Sequence, residues 1–258
     1  MATAPALDTQ GRVIIALALR EIHTLYGGKS LGYLWAIFQT AFGVAVFWII
    51  RAFTHAAAPH GMTMLSYLVA GFGIWNIVSR ILLKCMAAVD GNRALLTFPQ
   101  VTPLDIMLAR ALVLSATQIV SMGVLLSCGI PFGYPITISN LGQLIIVIFL
   151  ATFLGLGLGI ILGSLAIYLP VLQQLVPVIM RILFFTSGVF FSVSMLSHRV
   201  GDFLMLNPIM QLIELSRMAL SNGYTSLYAD FWYVVQTTIV ILSLGLLLER
   251  YARRRVTQ

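Results

Sequence analysis

The sequence predicts an all-α integral membrane protein of six transmembrane helices, with an N-terminal amphipathic interface helix and a short re-entrant or interfacial helical segment before the last span. Its 258 residues are 60% hydrophobic and only 9% charged, with mean hydropathy +0.99. Residues 111–180 run seventy in a row without an Asp, Glu, Lys or Arg, and after Arg181 the next such charge is Arg199. Apolar stretches recur at bilayer length, since a hydrocarbon core about 30 Å thick needs about 20 mostly apolar residues per helix. A water-soluble domain has no means of hiding so long an uncharged stretch, so residues 1–258 read as one membrane domain.

Residues 12–26, RVIIALALREIHTLY, set Arg12, Arg20 and His23 among apolar residues. The segment is too short and too charged to span, and fits a helix lying along the membrane surface. Gly27 and Gly28 end it, and the uncharged run beyond them gives the first span, 30–50. Arg51, Pro59 and Gly61 mark a short loop. The second span is 62–83, with Arg80 and Lys84 expected to snorkel from its end. Residues 84–103 form a polar connection with Asp90, Gly91, Asn92, Arg93, Pro99 and Pro103. The third span, 104–128, leads into GIPFGYPITISN, a turn-rich uncharged loop. The fourth, 141–168, carries Gly155, Gly159 and Gly163 at the four-residue spacing that lets helices approach closely, and Pro170 ends it. The fifth, 171–193, is interrupted by Pro177 and Arg181. Residues 194–230 do not span but hold a helical segment, 207–220, and 231–248 form the last span.

Lys and Arg outnumber Asp and Glu by 15 to 8. Eleven of the fifteen lie in the N-terminal segment, the C-tail, and the 84–103 connection with Arg80 and Arg110 at its edges; Arg51, Arg199 and Arg217 lie opposite. The positive-inside rule then puts both termini in the cytoplasm, in agreement with an even number of spans. The excess follows loops rather than one surface, so no nucleic-acid partner is expected. Residues 1–11 show no signal-peptide pattern, and the first span is expected to direct insertion. Cys85 and Cys128 form neither a disulfide framework nor a metal-ligand cluster.

Gly28, Lys29 and Ser30 spell the end of a phosphate-binding loop, but that motif needs a further glycine where His23 stands. The glycines read instead as the end of the interface helix, with Lys29 at the headgroups. GLGLGIILG lacks the spacing of the dinucleotide fingerprint. HExxH, GxSxG and paired intramembrane carboxylates are missing, and His55, His60 and His198 are scattered through loops, so no catalytic or metal-binding residue is expected. Arg181 costs about 2.5 to 3.5 kcal/mol near a helix centre, and no acidic residue in a predicted span pairs with it. It reads either as lining a watery pathway or as a structural residue that bonds carbonyls or snorkels. Trp35, Phe38, Phe42, Phe184, Phe185, Phe190 and Phe191 are stacking surfaces for sugar rings or, alternatively, packing and lipid anchors. Glu214 and Arg217, three apart in PIMQLIELSRMAL, can pair on one helix face. They form either a surface pair worth little or part of a short helix dipping into the outer leaflet, with its ends on protein or water.

LREIHTLYGGKSLGYLWAI at 19–37, GNRALLTFPQVTPLDIMLARAL at 91–112 and LNPIMQLIELSRMALSNGY at 206–224 together resemble, in matching order, the permease subunit of capsular polysaccharide ABC exporters. This is the KpsM type of the type-2 ABC exporter superfamily. The similarity covers nearly the whole chain and is weakest in the first external loop and the fifth span. The resemblance implies a homodimer of six-span permeases in the bacterial inner membrane, each engaging a separate cytoplasmic ATPase, two copies in all. It implies no ATPase motif and no cofactor in this chain; ATP and magnesium belong to the partner. The cargo would be a lipid-linked, often acidic capsular glycan with a Kdo linker, passed on to a periplasmic adaptor and an outer-membrane polysaccharide exporter. The family's interface helix maps to 12–26, and its coupling helix to 90–98, with Asp90, Gly91, Asn92, Arg93, Leu95, Leu96 and Phe98. By the same resemblance the first and fifth spans line the dimer channel, placing Trp35, Phe38, Gln39, Phe42, Arg181, Phe184 and Phe185 on the substrate pathway. Arg20 and Lys29 are expected to contact headgroups or the linker, and Asn207, Pro208, Glu214 and Arg217 to belong to the outer-leaflet segment. The alternatives are an O-antigen or teichoic-acid exporter of the same fold, a smaller-molecule efflux permease, or an intramembrane transferase.

Overall fold

The computed structural model describes residues 3–26, 30–53, 61–88, 90–92, 95, 101–136, 138–226 and 228–256. Nine α-helices follow one another among them: α1 (Thr3–Tyr26), α2 (Ser30–Phe53), α3 (Met64–Met86), α4 (Pro103–Gly129), α5 (Leu141–Ala166), α6 (Leu172–Thr186), α7 (His198–Leu204), α8 (Pro208–Leu220) and α9 (Phe231–Val256). Short 3-10 turns lie at Asp90–Asn92, Ile130–Phe132 and Val193–Met195. Four helical stretches are long and apolar enough to cross a bilayer: Met64–Met86, Pro103–Phe132, Leu141–Ala166 and Phe231–Ala252. Ile37–Arg51 within α2 and Leu172–Thr186 are shorter apolar helices.

The chain runs back and forth, so α1, the Asp90–Asn92 turn, the α5–α6 turn and the end of α9 share one end of the bundle, called here the near end. The end of α2, the starts of α3 and α5 and the Ile130–Phe132 turn lie at the far end with α7 and α8. Backbone bonds from Ser139 and Asn140 to the Ala219 carbonyl, both 3.0 Å, hold α8 there. Local sequence starts the helices. Thr102-Pro103-Leu104-Asp105 forms a capping box at α4, and Asn140 and Asn207 cap α5 and α8. A cap of this kind contributes typically about 1 kcal/mol.

α3 is the central helix, with Tyr67, Ile74, Ile77 and Ile81 fully buried. α5 lies directly on it. A Cβ added at Gly155 would stand 2.9 Å from the Val78 carbonyl oxygen, and one at Gly159 2.6 Å from the Cys85 Cβ, so the glycine spacing admits α3. On the other side of α5, a Cβ at Gly157 would stand 3.1 Å from the Leu242 Cα of α9. Helices in lipid gain no hydrophobic transfer energy from one another, so this close packing holds the bundle together. Ile239, Val240 and Leu247 of α9 and Phe149 of α5 point outward, the surface a bilayer covers.

Several boundaries differ from the sequence reading. α1 begins at Thr3 rather than at 12, and α9 continues to Val256 rather than ending at 248. α6 stops at Thr186, not 193, because Gly188 turns the chain out of the helix at φ +72. Residues 198–204, read as non-spanning chain, form α7.

Candidate functional site

A groove of about 480 Å³ runs between α2, α3 and α6. α3 supplies Phe72, Trp75, Asn76, Ser79 and Leu83; α6 supplies Pro177, Met180, Arg181, Phe184 and Phe185; α2 supplies Gln39. Because α3 and α6 run in opposite directions, the α3 positions climb from Leu83 at the near end to Phe72 at the far end, about 17 Å at 1.5 Å per residue. Gln39, Asn76, Ser79 and Arg181 line the nearer part. The far part is aromatic: Phe184 stands edge-on to Phe72 at 5.7 Å and to Phe185 at 5.3 Å, and 5.4 Å from Trp75. Such a lining offers apolar ring faces beside amides, a hydroxyl and a guanidinium, a combination suited to a polyhydroxylated chain that carries negative charge.

The groove brings together Gln39, Arg181, Phe184 and Phe185 of the residues the sequence analysis placed on a pathway. Trp35, Phe38 and Phe42 are not among its lining residues. They form a separate exposed stripe on α2, stacked at 5.7 and 6.0 Å. Arg80 does not simply snorkel from α3: its Nη2 donates to Gln39 Oε1 at 3.0 Å, which orients that amide at the groove. Deeper, Asn76 Nδ2 and the Gln118 side chain meet the Thr40 hydroxyl at 3.4 Å, joining α2, α3 and α4 by polar contacts. Trp75, Asn76 and Ser79 escaped the sequence analysis, although 72, 75, 76, 79 and 83 mark one face of a helix.

At the far end, Glu214 and Arg217 are not a surface pair. Both are buried, with Arg217 Nη1 3.1 Å from Glu214 Oε1. The Arg217 guanidinium stands 3.6 Å over the Tyr67 ring and donates to the carbonyls of Gly188 at 2.8 Å, Val189 at 3.0 Å and Phe191 at 3.3 Å. Gly71 leaves room for it, since a Cβ there would stand 3.1 Å from Arg217 Nη2. The Tyr224 hydroxyl donates to Glu214 Oε2 at 2.7 Å and shares a 2.7 Å bond with Ser192. Burial, then the Glu214 charge, push the Tyr224 phenol above its ordinary pKa, so it stays a donor at neutral pH. Asn207 caps α8 with Oδ1 while its Nδ2 donates to Ser187 Oγ at 2.9 Å, and Pro208 opens the helix. The non-helical carbonyls of Gly188, Val189 and Phe191 are thus satisfied by a side chain of α8.

The near end is tied by a second set of polar contacts. Arg110 Nε meets Glu21 Oε1 at 2.8 Å, and its Nη1 donates to the Lys84 carbonyl at 2.8 Å, joining α1, α3 and α4. Gln10 Nε2 donates to Asp105 Oδ1 at 2.5 Å. Arg20 reaches Asn92 Oδ1 at 3.4 Å, and Asn92 Nδ2 donates to the Ala88 carbonyl at 2.9 Å. Gly91 is exposed, and the Leu95 amide donates to the Asn92 carbonyl at 2.9 Å. The backbone of Asp90 lies in the 3-10 turn, whereas Lys29, Arg93, Leu96 and Phe98 fall outside the described residues. Among the described residues, no three His, Cys, Asp or Glu side chains gather as metal ligands would.

The ABC-2 type transporter family model matches residues 12–221, from within α1 to just past α8. The chain belongs to the ABC-2 type transporter family. This ABC-2 transporter chain is 30% identical over 244 residues to a polysialic acid transport protein KpsM of Escherichia coli, covering 94% of both chains. It is 25% identical to the capsule polysaccharide export inner-membrane protein CtrC of Neisseria meningitidis serogroup B, over 93% of this chain and 91% of that one. It is also 25% identical to the capsule polysaccharide export inner-membrane protein BexB of Haemophilus influenzae, over 95% and 92%. The similarity therefore includes α9, beyond the family match.

Proposed function

We propose that the chain is the membrane permease of an exporter that moves lipid-linked capsular polysaccharide across the bacterial inner membrane. The observation that carries this reading is the similarity over more than nine-tenths of the chain to relatives named for capsule polysaccharide export. The groove between α2 and α6 supports it, with ring faces and hydrogen-bonding groups beside Arg181. On this reading α2 and α6 complete six spans, both termini are cytoplasmic, and α8 lies in the outer leaflet. Two copies pair so that their α2 and α6 line one channel, to which the Trp35, Phe38 and Phe42 stripe also contributes. Energy comes from two copies of a separate ATPase that binds ATP and magnesium, meeting the chain at α1 and at residues 90–98. On the same reading Arg20 and Lys29 contact a headgroup or linker, and a periplasmic adaptor and outer-membrane exporter carry the glycan onward.

The test is deletion and complementation in the host bacterium, measuring surface glycan, intracellular glycan and membrane abundance of the chain. Deletion should strand capsular glycan inside the cell. Arg181→Met should export poorly at normal abundance. Arg181→Lys should retain an intermediate fraction, because lysine keeps the charge but not the paired hydrogen bonds to a carboxylate or phosphate. Accumulation of O-antigen or teichoic acid instead would reassign the cargo, and wild-type export by Arg181→Met would remove that residue from the pathway.

A further inference from the structure

Just past α6, four consecutive backbone carbonyls accept hydrogen bonds from two guanidiniums. Arg217 takes those of Gly188, Val189 and Phe191. The fourth, Phe190, goes to Arg51, whose Nη2 donates at 2.6 Å from the last turn of α2. This division ties the segment to two different helices, α8 through Arg217 and α2 through Arg51, whose guanidinium also stands 5.6 Å from the Tyr67 ring centroid. Arg217 is buried within the block that its own carbonyls form with α3 and α8, whereas the Arg51 bond crosses from that block to α2.

α2 holds the same residue a second time, through the Phe47 ring stacked on Phe190 at 3.9 Å. The Phe190 ring in turn meets Phe184 at 4.9 Å, Phe185 at 5.8 Å and Phe72 at 5.9 Å, the aromatic far end of the groove. One turn of α2 therefore grips the residue whose ring packs on the aromatic end of the groove.

We propose that Arg51 is a positioning residue for export, a latch that keeps the Phe190 ring across the far end of the groove and whose release opens the groove to the periplasm. This rests on the reading of the groove as the export pathway. If α2 moves away from α6, the three Arg217 bonds stay within their block, while the Arg51 bond and the Phe47 stack must part. A hydrogen bond from a guanidinium to a carbonyl is charge-assisted and directional, so it fixes where Phe190 sits as well as holding it. Lysine at 51 would supply a compact, freely rotating ammonium in place of the rigid guanidinium fork, and methionine no donor at all.

The test uses the full chain with its ATPase in cells, with Cys85→Ala and Cys128→Ser, and Ser79→Cys as a reporter inside the groove. A membrane-impermeant maleimide is applied from the periplasm at rest, and labelling rate is read beside membrane abundance. With Arg51 in place, labelling should be slow. Arg51→Met should raise the rate about tenfold or more, Arg51→Lys should fall between, and Phe190→Ala with Arg51 intact should label as fast as Arg51→Met. Equal rates with Arg51 and with Arg51→Met at equal abundance would overturn the latch, as would fast labelling of the parent at rest. Should Arg51→Met not accumulate, the Arg51→Lys and Phe190→Ala rates decide on the same terms. A wrong pathway reading shows itself separately, as normal export by Arg181→Met whatever the labelling rates.

Discussion

Arg217→Met is the substitution whose cost the structure defines most fully. It leaves the Glu214 carboxylate buried without its cation, and losing one partner of a buried pair costs about 3 to 5 kcal/mol. It also strips the donor from the Gly188, Val189 and Phe191 carbonyls, at about 1 to 3 kcal/mol for each acceptor left buried and unpaired. Even the low ends of these ranges together reach about 6 kcal/mol, as much as the whole folding stability of many proteins. Glu214→Gln is far milder. Its amide still accepts from Tyr224 and faces Arg217, which keeps its three carbonyls and the Tyr67 ring, so the loss should be about 1 kcal/mol, the gap between a charged and a neutral hydrogen bond. The assay is membrane abundance by quantitative immunoblot, followed by heating the detergent-extracted protein and measuring what remains monodisperse on size exclusion. Arg217→Met should be scarce in the membrane, Arg217→Lys intermediate, and Glu214→Gln near wild type with a transition a few degrees lower. Wild-type abundance and heat resistance for Arg217→Met, or a Glu214→Gln weaker than Arg217→Met, would refute the argument that α8 is held by this guanidinium.

Two further outcomes follow from the packing. Gly155→Ala should lower thermal stability, by about 1 to 3 kcal/mol for an overpacked contact, because its Cβ would press on the Val78 backbone; Gly123→Ala, with nothing within 4 Å, should raise it by up to about 1 kcal/mol, and identical shifts in the two would dismiss the close approach of α3 and α5. Arg110→Met should free α1 from α3 and α4, read as faster amide hydrogen exchange across 12–26 with α5 still protected, and unchanged exchange in α1 would show that the Glu21 pair does not hold it.

Four helices were legible from composition alone, and α2 and α8 also lie within a few residues of where the sequence placed a first span and a helical segment. α3, α4, α5 and α9 need only a long uncharged stretch, and the glycines of α5 announced the close contact that Gly155 and Gly159 make with α3. The end of α6 is set by Gly188 at positive φ, but the non-helical run beyond it was not legible, because its carbonyls are satisfied by Arg217 and Arg51, remote in sequence, one of them resembling an ordinary span-flanking cation. Glu214 and Arg217 were recognised as a pair, yet their burial depends on Tyr67 and Gly71 on another helix, which no local pattern reports. In the groove, α2 and α6 contributed the expected Gln39, Arg181, Phe184 and Phe185, while α3 contributed a wall that apolar counting hides, since Asn76 and Ser79 are too few to interrupt a span.

The contacts of the central helix differ in kind, and the difference bears on which wall of the groove can move. Toward α5, α3 meets bare glycine backbone with no slack, and α5 meets α9 the same way, so α3, α5 and α9 pack as one close-fitted unit. Toward α2, α3 offers a few polar side-chain bonds at 3.0 and 3.4 Å and the edges of phenylalanine rings, such as Phe72 tilted against Phe47 at 5.8 Å. Ring contacts of that sort are individually worth about 0.5 to 1.5 kcal/mol and can slide, whereas backbone seated against backbone cannot shift without opening a void. On the proposed reading, motion delivered at the near end through α1 and the 90–92 turn would therefore shift α2 against a fixed α3, α5 and α9. The groove would then lie between the helix that moves and the unit that does not, which is where a channel for a polymer would have to widen.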